Sequence, residues 1–329
     1  MSGFSEQWLA LREGADAAAR AAALVPAIRP RDGRTAVVVD LGAGTGANLR
    51  WLAPRLACPS RWIAVDHDAA LLARITARPF PEGTAVEPLA LDLAQALDRV
   101  PFAQADLVTA SALLDLVSEA WLERLAAACA AARVPVLFAL TYDGRVAWTP
   151  RERGDETVRE LVNRHQRGDK GFGPALGPAA AGRAAALFAA RGYEVSSAAS
   201  DWTLGPEEAA LQSALVAGWL EAALEVAPAE RAALADWAAR RRAWIASGAS
   251  RLAVGHVDLG GLPERRNAED AEGRRENRST SLRGDGSARA LPAGAPCGAP
   301  AARLAVQRLT RPTRKPELCG APRPLRPPR

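Results

Sequence analysis

The chain has 329 residues and a formal net charge of +5, and this charge is unevenly distributed. Residues 263–329 carry 15 Arg and Lys against 7 Asp and Glu, which leaves 27 basic and 30 acidic residues before them. The larger part of the chain therefore lacks the basic footprint that binding to nucleic-acid phosphates needs.

Cysteine spacing and hydropathy exclude several further classes of protein. The four cysteines fall in no CxxC spacing, so we expect neither a metal site nor a disulfide framework. No apolar run approaches the roughly 20 residues of a membrane span, and charged residues interrupt the N-terminal segment. We expect a soluble, cytoplasmic protein with no membrane partner and no obligate protein partner.

The first predicted element is a helix over residues 5–28, with Ser5 as its N-cap. It opens with Trp8 and Leu9 and continues through an alanine-rich stretch. We assign residues 1–30 to a helical cap that precedes the first strand.

A strand, a glycine turn and a helix follow. Val37–Val39 is a β-branched run typical of a strand buried on both faces. Gly42, Gly44 and Gly46 then allow a sharp turn and a close approach of a ligand to the backbone. The N-terminus of the next helix adds free N–H groups and a partial positive charge, so the segment predicts a nucleotide-binding site.

The pattern Asp40-x-Gly42-x-Gly44-x-Gly46 resembles the first motif of the class I S-adenosylmethionine-dependent methyltransferases. A carboxylate at the strand tip suits a cationic cofactor and would repel a pyrophosphate. The resemblance implies a doubly wound, seven-stranded, mostly parallel α/β sheet. The same segment also satisfies the loose dinucleotide fingerprint, so an NAD(P)-dependent oxidoreductase is the alternative.

The second and third predicted strands each end at an acidic residue. Arg61–Val65 leads to Asp66, which both nucleotide classes would place at the ribose hydroxyls. Ala85–Leu91 leads to Asp92. The resemblance implies that Asp92 accepts from the adenine amino group, and a helix N-cap is its alternative role.

The resemblance also concerns Arg12, on the first helix. In this superfamily a helix before the first strand often closes over the cofactor, which implies contact between Arg12 and the cofactor carboxylate. A solvated helix face is the alternative.

The fourth predicted strand, Asp106–Ala110, places Ser111 and Asp115 at the transfer site or its rim. The residues after this strand lack the Pro-Pro-aromatic pattern of amino-methylating DNA and protein enzymes, and resemble the small-molecule methyltransferases. A fifth strand, Val134–Leu140, precedes Tyr142 and a predicted turn at Asp143-Gly144. Five such β-α repeats indicate a parallel doubly wound sheet.

A glycine-rich loop, residues 168–174, follows a predicted helix over 155–166. We interpret it as a substrate lid, with Lys170, Phe172 and the nearby Tyr142 as substrate contacts; an ordinary connector is the alternative. His165 is the first candidate for a general base and Asp115 the second.

The remaining elements complete a domain over residues 1–262. Strands are predicted at Tyr193–Ala198 and Leu252–Leu259, with a two-helix insertion at 205–248 between them. We expect Arg240–Arg242 to be a solvated face, with an anion contact through Arg241 as the alternative.

The resemblance implies in-line transfer of a methyl group from S-adenosylmethionine to a small-molecule nucleophile, driven mainly by alignment. No metal is expected. Two further alternatives remain: an RNA-modifying methyltransferase held to RNA by the basic tail, and a scaffold that binds cofactor without turnover.

Residues 263–329 contain none of the nine Trp, two Tyr and six Phe, and we predict a disordered basic tail. Truncation after Pro263 should leave the melting temperature and cofactor affinity unchanged. A large loss of either would show that the tail docks on the domain.

Overall fold

The computed structural model describes residues 5–28, 34–77, 80 and 82–264. The chain divides into two units, Met1–Asn267 and Ala268–Arg329. The predicted disordered tail lies outside the described residues from position 265 onward.

The described part of the chain alternates strands and helices. The strands are β1 Ala36–Leu41, β2 Ser60–Asp66, β3 Thr84–Ala90, β4 Leu107–Ser111, β5 Val136–Thr149, β6 Tyr193–Ala199, β7 Trp202–Leu204 and β8 Arg251–Pro263. The helices are α1 Glu6–Ala19, α2 Val25–Ile28, α3 Ala47–Leu56, α4 Ala69–Thr76, α5 Glu119–Ala132, α6 Gly154–His165, α7 Ala180–Ala189, α8 Ala209–Val226 and α9 Arg231–Ala246.

The sheet runs in the order β3-β2-β1-β4-β5-β8-β6. β1 to β5 pair in parallel, whereas β8 is antiparallel to both of its neighbours. The predicted α/β class and mostly parallel sheet are confirmed. The predicted count of seven strands is wrong, because the described residues contain an eighth: β7 starts at Trp202 and pairs with β8.

Strand residues alternate between two hydrophobic cores, which shows that helices cover both faces of the sheet. Val38, Trp62 and Leu107 pack with α2 and α3 on one face. Val39 and Val108 pack with α5 and α7 on the other. This double cover explains the uninterrupted apolar runs of the central strands.

The predicted turn at Asp143-Gly144 is wrong, since both residues lie inside the long strand β5. The pairing with β8 shifts between Tyr142 and Val146, which makes the segment a bulge. Gly144 adopts φ +87° there, a conformation that glycine reaches without strain. The Asp-Gly pair does mark an irregular backbone. It does not reverse the chain, because pairing with β8 on both sides of the bulge keeps β5 extended.

The predicted insertion forms α8 and α9, which pack with α6 on a third core around Trp148 and Trp237. Within the described residues one helical segment, Pro206–Val226, has the length and hydropathy of a membrane span. The sequence analysis expected no segment of this length and hydropathy. About a third of the segment is buried inside the protein, and the core helix of a protein without a membrane span can have the same length and hydropathy.

Arg241 is not on a solvated face, contrary to prediction. Its guanidinium is fully buried, pairs with both carboxylate oxygens of Asp155 and donates to the Pro150 carbonyl at 2.7 Å. It also stacks on Trp148 and Trp244. Arg241 is therefore a structural ion-pair residue that joins α9 to α6.

Replacing Arg241 by Ala should lower the free energy of unfolding by about 3–5 kcal/mol, because Asp155 loses its buried counter-charge. The matched control is Arg240→Ala. Arg240 is about half exposed and pairs with Glu152, so its loss should lower the free energy of unfolding far less than the loss of Arg241. Urea denaturation of both variants measures the difference, and equal losses would contradict a buried structural pair.

Candidate active site

The glycine turn between β1 and α3 has the conformation that its composition predicts. Gly42, Gly44 and Gly46 have φ of +68°, +53° and +81°. A Cβ atom on Gly46 would lie 3.1 Å from Ile75 Cγ2, so any side chain there would need α4 to move. Gly46 is the N-cap of α3 and supplies no side-chain acceptor, so the helix N-terminus faces the turn uncapped.

Asp40 lies at the end of β1 and is almost completely buried. Its Oδ1 accepts a hydrogen bond of 2.6 Å from Asn48 Nδ2, whereas Oδ2 is buried without a partner. Burial raises the pKa of Asp40 to about 7, against the opposing effects of Asn48 and Arg20. An unsatisfied buried oxygen costs about 1–3 kcal/mol, so Asp40 is a candidate for binding a ligand cation.

Arg20 is a functional candidate that the sequence analysis missed. Its Nη1 donates to Asn48 Oδ1 at 2.7 Å and its guanidinium stacks on Trp51 at 4.1 Å. Nε and Nη2 are buried without hydrogen-bond partners. Burial lowers the pKa of Arg20, although Asp258 and Asp40 oppose this effect. The available sequence signal was one arginine within an alanine run, residues 17–23.

Asp258 on β8 lies next to Arg20 and contacts three segments of the chain. It accepts hydrogen bonds from Ala21 N at 2.9 Å and Leu140 N at 2.7 Å, and lies 3.9 Å from Arg20 Nε. Leu140 has φ +55°, a strained value for a residue with a side chain. The Asp258 carboxylate therefore stabilises both the end of the cap and the bend in β5.

Asp66 lies at the end of β2, as predicted, and faces the glycine turn. It accepts from Gly44 N at 2.8 Å and Asp68 N at 3.0 Å. His67 Nδ1 also lies 3.2 Å from Asp66 Oδ1. A carboxylate has about four acceptor positions, so these contacts still leave room for a ligand hydroxyl.

Asp92 is exposed, and its Oδ1 accepts from Ala94 N at 2.9 Å within a turn. It caps no helix, contrary to the alternative role, and its contact with adenine stays a prediction.

Helix α1 covers the turn, but none of its residues is buried. Leu9 lies over Gly44, and Glu13 pairs with Arg50 through two hydrogen bonds of 2.6 and 2.8 Å. Arg50 also donates to the Thr45 carbonyl in the turn. Polar contacts therefore hold much of the cap against the cofactor motif.

Arg12 makes two hydrogen bonds to Asp16, at 2.8 and 3.1 Å, and lies over the Trp202 ring. The structure thus pairs Arg12 with a carboxylate of its own helix. Arg20 carries the unused donors, so it fits the anion-binding role better.

A cleft of about 280 Å³ lies between α1 and α3. Ser111, at the tip of β4, reaches it from the sheet. Its other lining residues come from the two helices and their ends: Glu13, Asp16, Ala17, Arg20, Ala47, Asn48, Arg50, Trp51 and Arg55.

A second polar cluster lies just after β4 and midway along β5 and β8. Asp115, just after β4, is buried and its Oδ1 has no partner. Tyr142 and His256 face each other across the β5–β8 pair, and Trp202 lies 4.9 Å from His256. The predicted residues Asp115 and Tyr142 thus share a neighbourhood with His256 and Trp202, which had been assigned no site role.

The other predicted substrate and base residues have partners of their own. His165 contacts Glu225 at 3.0 Å and Lys170 at 3.3 Å. Phe172 packs edge-on against Trp121, with ring centroids 5.4 Å apart. Asp169 accepts from the backbone of residues 171 and 173, which fixes the predicted lid loop in a compact turn.

Comparisons with known proteins agree with this geometry. Residues 38–135 match the model of a methyltransferase domain family. No curated protein sequence matches the chain.

Solved structures resemble the fold only distantly. Phosphoethanolamine N-methyltransferase 2 of Haemonchus contortus has 13% identity and a TM-score of 0.38, with 74% of this chain and 52% of that chain covered. The chain therefore spans about half the length of that protein. A cyclopropane synthase of Mycobacterium tuberculosis has 11% identity and a TM-score of 0.38, with coverage of 74% and 82%. The geranyl diphosphate C-methyltransferase of Streptomyces coelicolor A3(2) has 11% identity and a TM-score of 0.38, with coverage of 74% and 76%.

The family match includes β1, the glycine turn, β2 and β4, which carry Asp40, Asp66 and Ser111. It begins inside β1 and ends just before β5, so it spans the part of the sheet that forms the cofactor cradle. On this match, residues 38–135 resemble a methyltransferase domain, and the glycine turn with Asp40 and Asp66 lies within the matched region.

Proposed function

We propose that this enzyme methylates a small molecule held beyond the carboxyl ends of β4 and β5, beneath α1. The supporting observation is the position of the unsatisfied buried side-chain atoms. Among the described residues, six have such atoms, and four of the six, Trp8, Arg20, Asp40 and Asp115, belong to α1, its C-terminal end or the ends of β1 and β4. Since each costs free energy in the free protein, their clustering favours a ligand site.

The residues around the turn fit S-adenosylmethionine. Its amino-acid moiety carries an ammonium and a carboxylate, and the site offers an unpartnered carboxylate oxygen on Asp40 beside unpartnered donors on Arg20. Asp66 retains acceptor positions for the ribose hydroxyls. The left-handed glycines allow the cofactor to approach the backbone without meeting a Cβ atom.

The cofactor supplies an activated methyl group on a sulfonium, so the protein has mainly to align the acceptor. Orientation of two reactants can contribute roughly 7–11 kcal/mol. Helix α1 excludes water from the turn, and the buried groups at the β4 tip position the acceptor. We also propose a cytoplasmic location, in line with the absence of CxxC spacing in the sequence.

Calorimetry on one sample with S-adenosylhomocysteine, S-adenosylmethionine and NAD tests the cofactor site. S-adenosylhomocysteine and S-adenosylmethionine should both bind. NAD should not, because the Asp40 carboxylate beside the glycine turn would repel its pyrophosphate. Binding of NAD without a response to S-adenosylhomocysteine would overturn the proposal.

The pH dependence of cofactor affinity should report the ionisation of Asp40. Its pKa of about 7 means that the free protein holds this carboxyl protonated at pH 5.5 and mostly ionised at pH 7.5. Because the cofactor ammonium favours the ionised form, affinity should rise about 20–30-fold over this range.

Asp40→Asn should abolish that rise and weaken binding at pH 7.5, while exposed Asp98→Asn should keep it. The raised pKa also predicts that wild-type stability declines from about pH 4 to 7, as the fold gives up a proton that it binds more tightly than the unfolded chain. An unchanged pH profile in Asp40→Asn would contradict the assignment.

Arg20→Met should weaken S-adenosylhomocysteine roughly ten- to a hundred-fold, since a charged hydrogen bond contributes about 1.5–3 kcal/mol. Binding of 5′-methylthioadenosine, which lacks the carboxylate, should change little. Arg12→Met is the matched control, because Arg12 is already paired with Asp16. If calorimetry shows the selective loss in Arg12→Met, the sequence-based assignment of Arg12 is correct and that of Arg20 is wrong.

A further inference from the structure

Asn48, the second residue of α3, lies between the two charged side chains of the cofactor site. Its Nδ2 donates to Asp40 Oδ1 at 2.6 Å, and its Oδ1 accepts from Arg20 Nη1 at 2.7 Å. Among the described residues, the one salt-bridge contact of Arg20 is with Asp258, at 3.9 Å from its Nε. A neutral carboxamide therefore separates the Asp40 carboxylate from the Arg20 guanidinium.

The neighbours of Asn48 fix the orientation of its side chain. Arg20 can only donate, so the amide atom that faces it is Oδ1. The Thr109 hydroxyl donates to the Leu137 carbonyl at 2.8 Å and accepts from Asn48 Nδ2 at 3.2 Å. Thr109 is fully buried on β4, which holds the amide in place from the sheet side. The carboxamide thus directs its donor to Asp40 and its acceptor to Arg20.

This arrangement keeps both charged groups available to a ligand. Asp40 Oδ2 and Arg20 Nε and Nη2 are buried with no hydrogen-bond partner among the described residues. Burial raises the pKa of Asp40, and the Asn48 hydrogen bond opposes this effect more strongly than the charge of Arg20 does. A direct pair would use these atoms on each other, because a guanidinium binds a carboxylate through two parallel hydrogen bonds. Asn48 takes the place of that pair.

The spacing of the two groups suits an α-amino acid. The amide nitrogen and oxygen of Asn48 are joined through one carbon, and so are the ammonium nitrogen and the carboxylate carbon of an α-amino acid. Asn48 and Arg20 both line the cleft between α1 and α3, so a ligand can reach them from that side. A zwitterion of this spacing can donate to Asp40 and accept from Arg20 at the same time.

We propose that Asn48 sets the specificity of the cofactor site for an α-amino-acid zwitterion by holding Asp40 and Arg20 apart. The inference rests on the proposed function and adds a positioning residue to its cofactor site. The site then requires both the ammonium and the carboxylate of the ligand. A negative charge at position 48 would pair with Arg20 and repel the ligand carboxylate, so it would remove one of the two requirements.

Calorimetry at pH 7.5 with four adenosine thioethers tests this role. The ligands are S-adenosylhomocysteine, its 3-aminopropylthio analogue without the carboxylate, its 3-carboxypropylthio analogue without the amine, and 5′-methylthioadenosine without either group. The wild-type protein should bind S-adenosylhomocysteine about tenfold or more tightly than either single-group analogue, since each analogue loses a charge-assisted hydrogen bond.

Asn48→Asp should change the order of affinities. The 3-aminopropylthio analogue should bind at least as tightly as S-adenosylhomocysteine, because the added carboxylate neutralises Arg20 and repels the carboxylate of the ligand. Asn163→Asp is the matched control. The Asn163 carboxamide also bridges two groups, the Tyr142 hydroxyl and the Gly144 carbonyl, and neither belongs to the cofactor site. This control should keep the wild-type order.

Asn48→Ala provides a second test in case a buried charge prevents folding. Without the amide, Arg20 and Asp40 can pair directly. The advantage of S-adenosylhomocysteine over 5′-methylthioadenosine should therefore fall to less than about threefold, while the affinity for 5′-methylthioadenosine stays at the wild-type level. Circular dichroism melting curves establish that each variant is folded.

Four results would overturn the role of Asn48. They are equal binding of S-adenosylhomocysteine and a single-group analogue by the wild-type protein, the wild-type order in folded Asn48→Asp, the wild-type advantage in folded Asn48→Ala, and an equal loss of affinity for all four ligands in either variant. The last result would show a purely structural role. Absence of S-adenosylhomocysteine binding by the wild-type protein would instead refute the proposed function.

Discussion

The buried polar chain from Asp40 through Asn48 and Arg20 to Asp258 is the interaction on which the site depends. It joins β1, α3, the end of α1 and β8 through side chains that are almost fully buried. Buried charges are costly unless they are paired, and here Asp40 Oδ2 and two Arg20 nitrogens have no hydrogen-bond partner in the described residues. The fold therefore leaves a carboxylate oxygen and guanidinium N–H groups available to a ligand next to the glycine turn.

The long β5–β8 pair extends this arrangement from the cofactor side to the acceptor side. Asp258 stabilises the bend in β5 at Leu140, and two residues farther along β5 Tyr142 pairs with His256. The extra strand β7 adds Trp202 to the same surface. The side-chain cluster around His256 is thus built on an irregular strand pair.

Helix α1 connects the two halves of the site. Leu9 lies over Gly44, and Arg12 lies over Trp202. Trp8, Leu11, Ala15 and Ala19 pack against the third core, and charged pairs such as Glu13–Arg50 add polar contacts, so α1 is held by both kinds of interaction.

The cofactor cradle was predictable because its chemistry is local. A β-branched strand, three glycines and a carboxylate two residues before them define the turn within a dozen residues, and the acidic end of β2 follows at a short, regular distance. The parallel α/β class was predictable from alternating strand and helix patterns. Tight backbone geometry restricts which residues can occupy such positions, so the sequence carries that information directly.

Only the tertiary structure identified the partners that come from distant parts of the chain. Arg20 meets Asn48 28 residues away, and Asp258 receives the Ala21 N–H across 237 residues. Arg241 is buried only because Asp155 and Pro150 on another segment satisfy its donors. His256 looked like one alternating residue of a strand until Tyr142 and Trp202 were placed beside it. Burial and charge compensation depend on which segments pack together, and no local pattern of residue types specifies that.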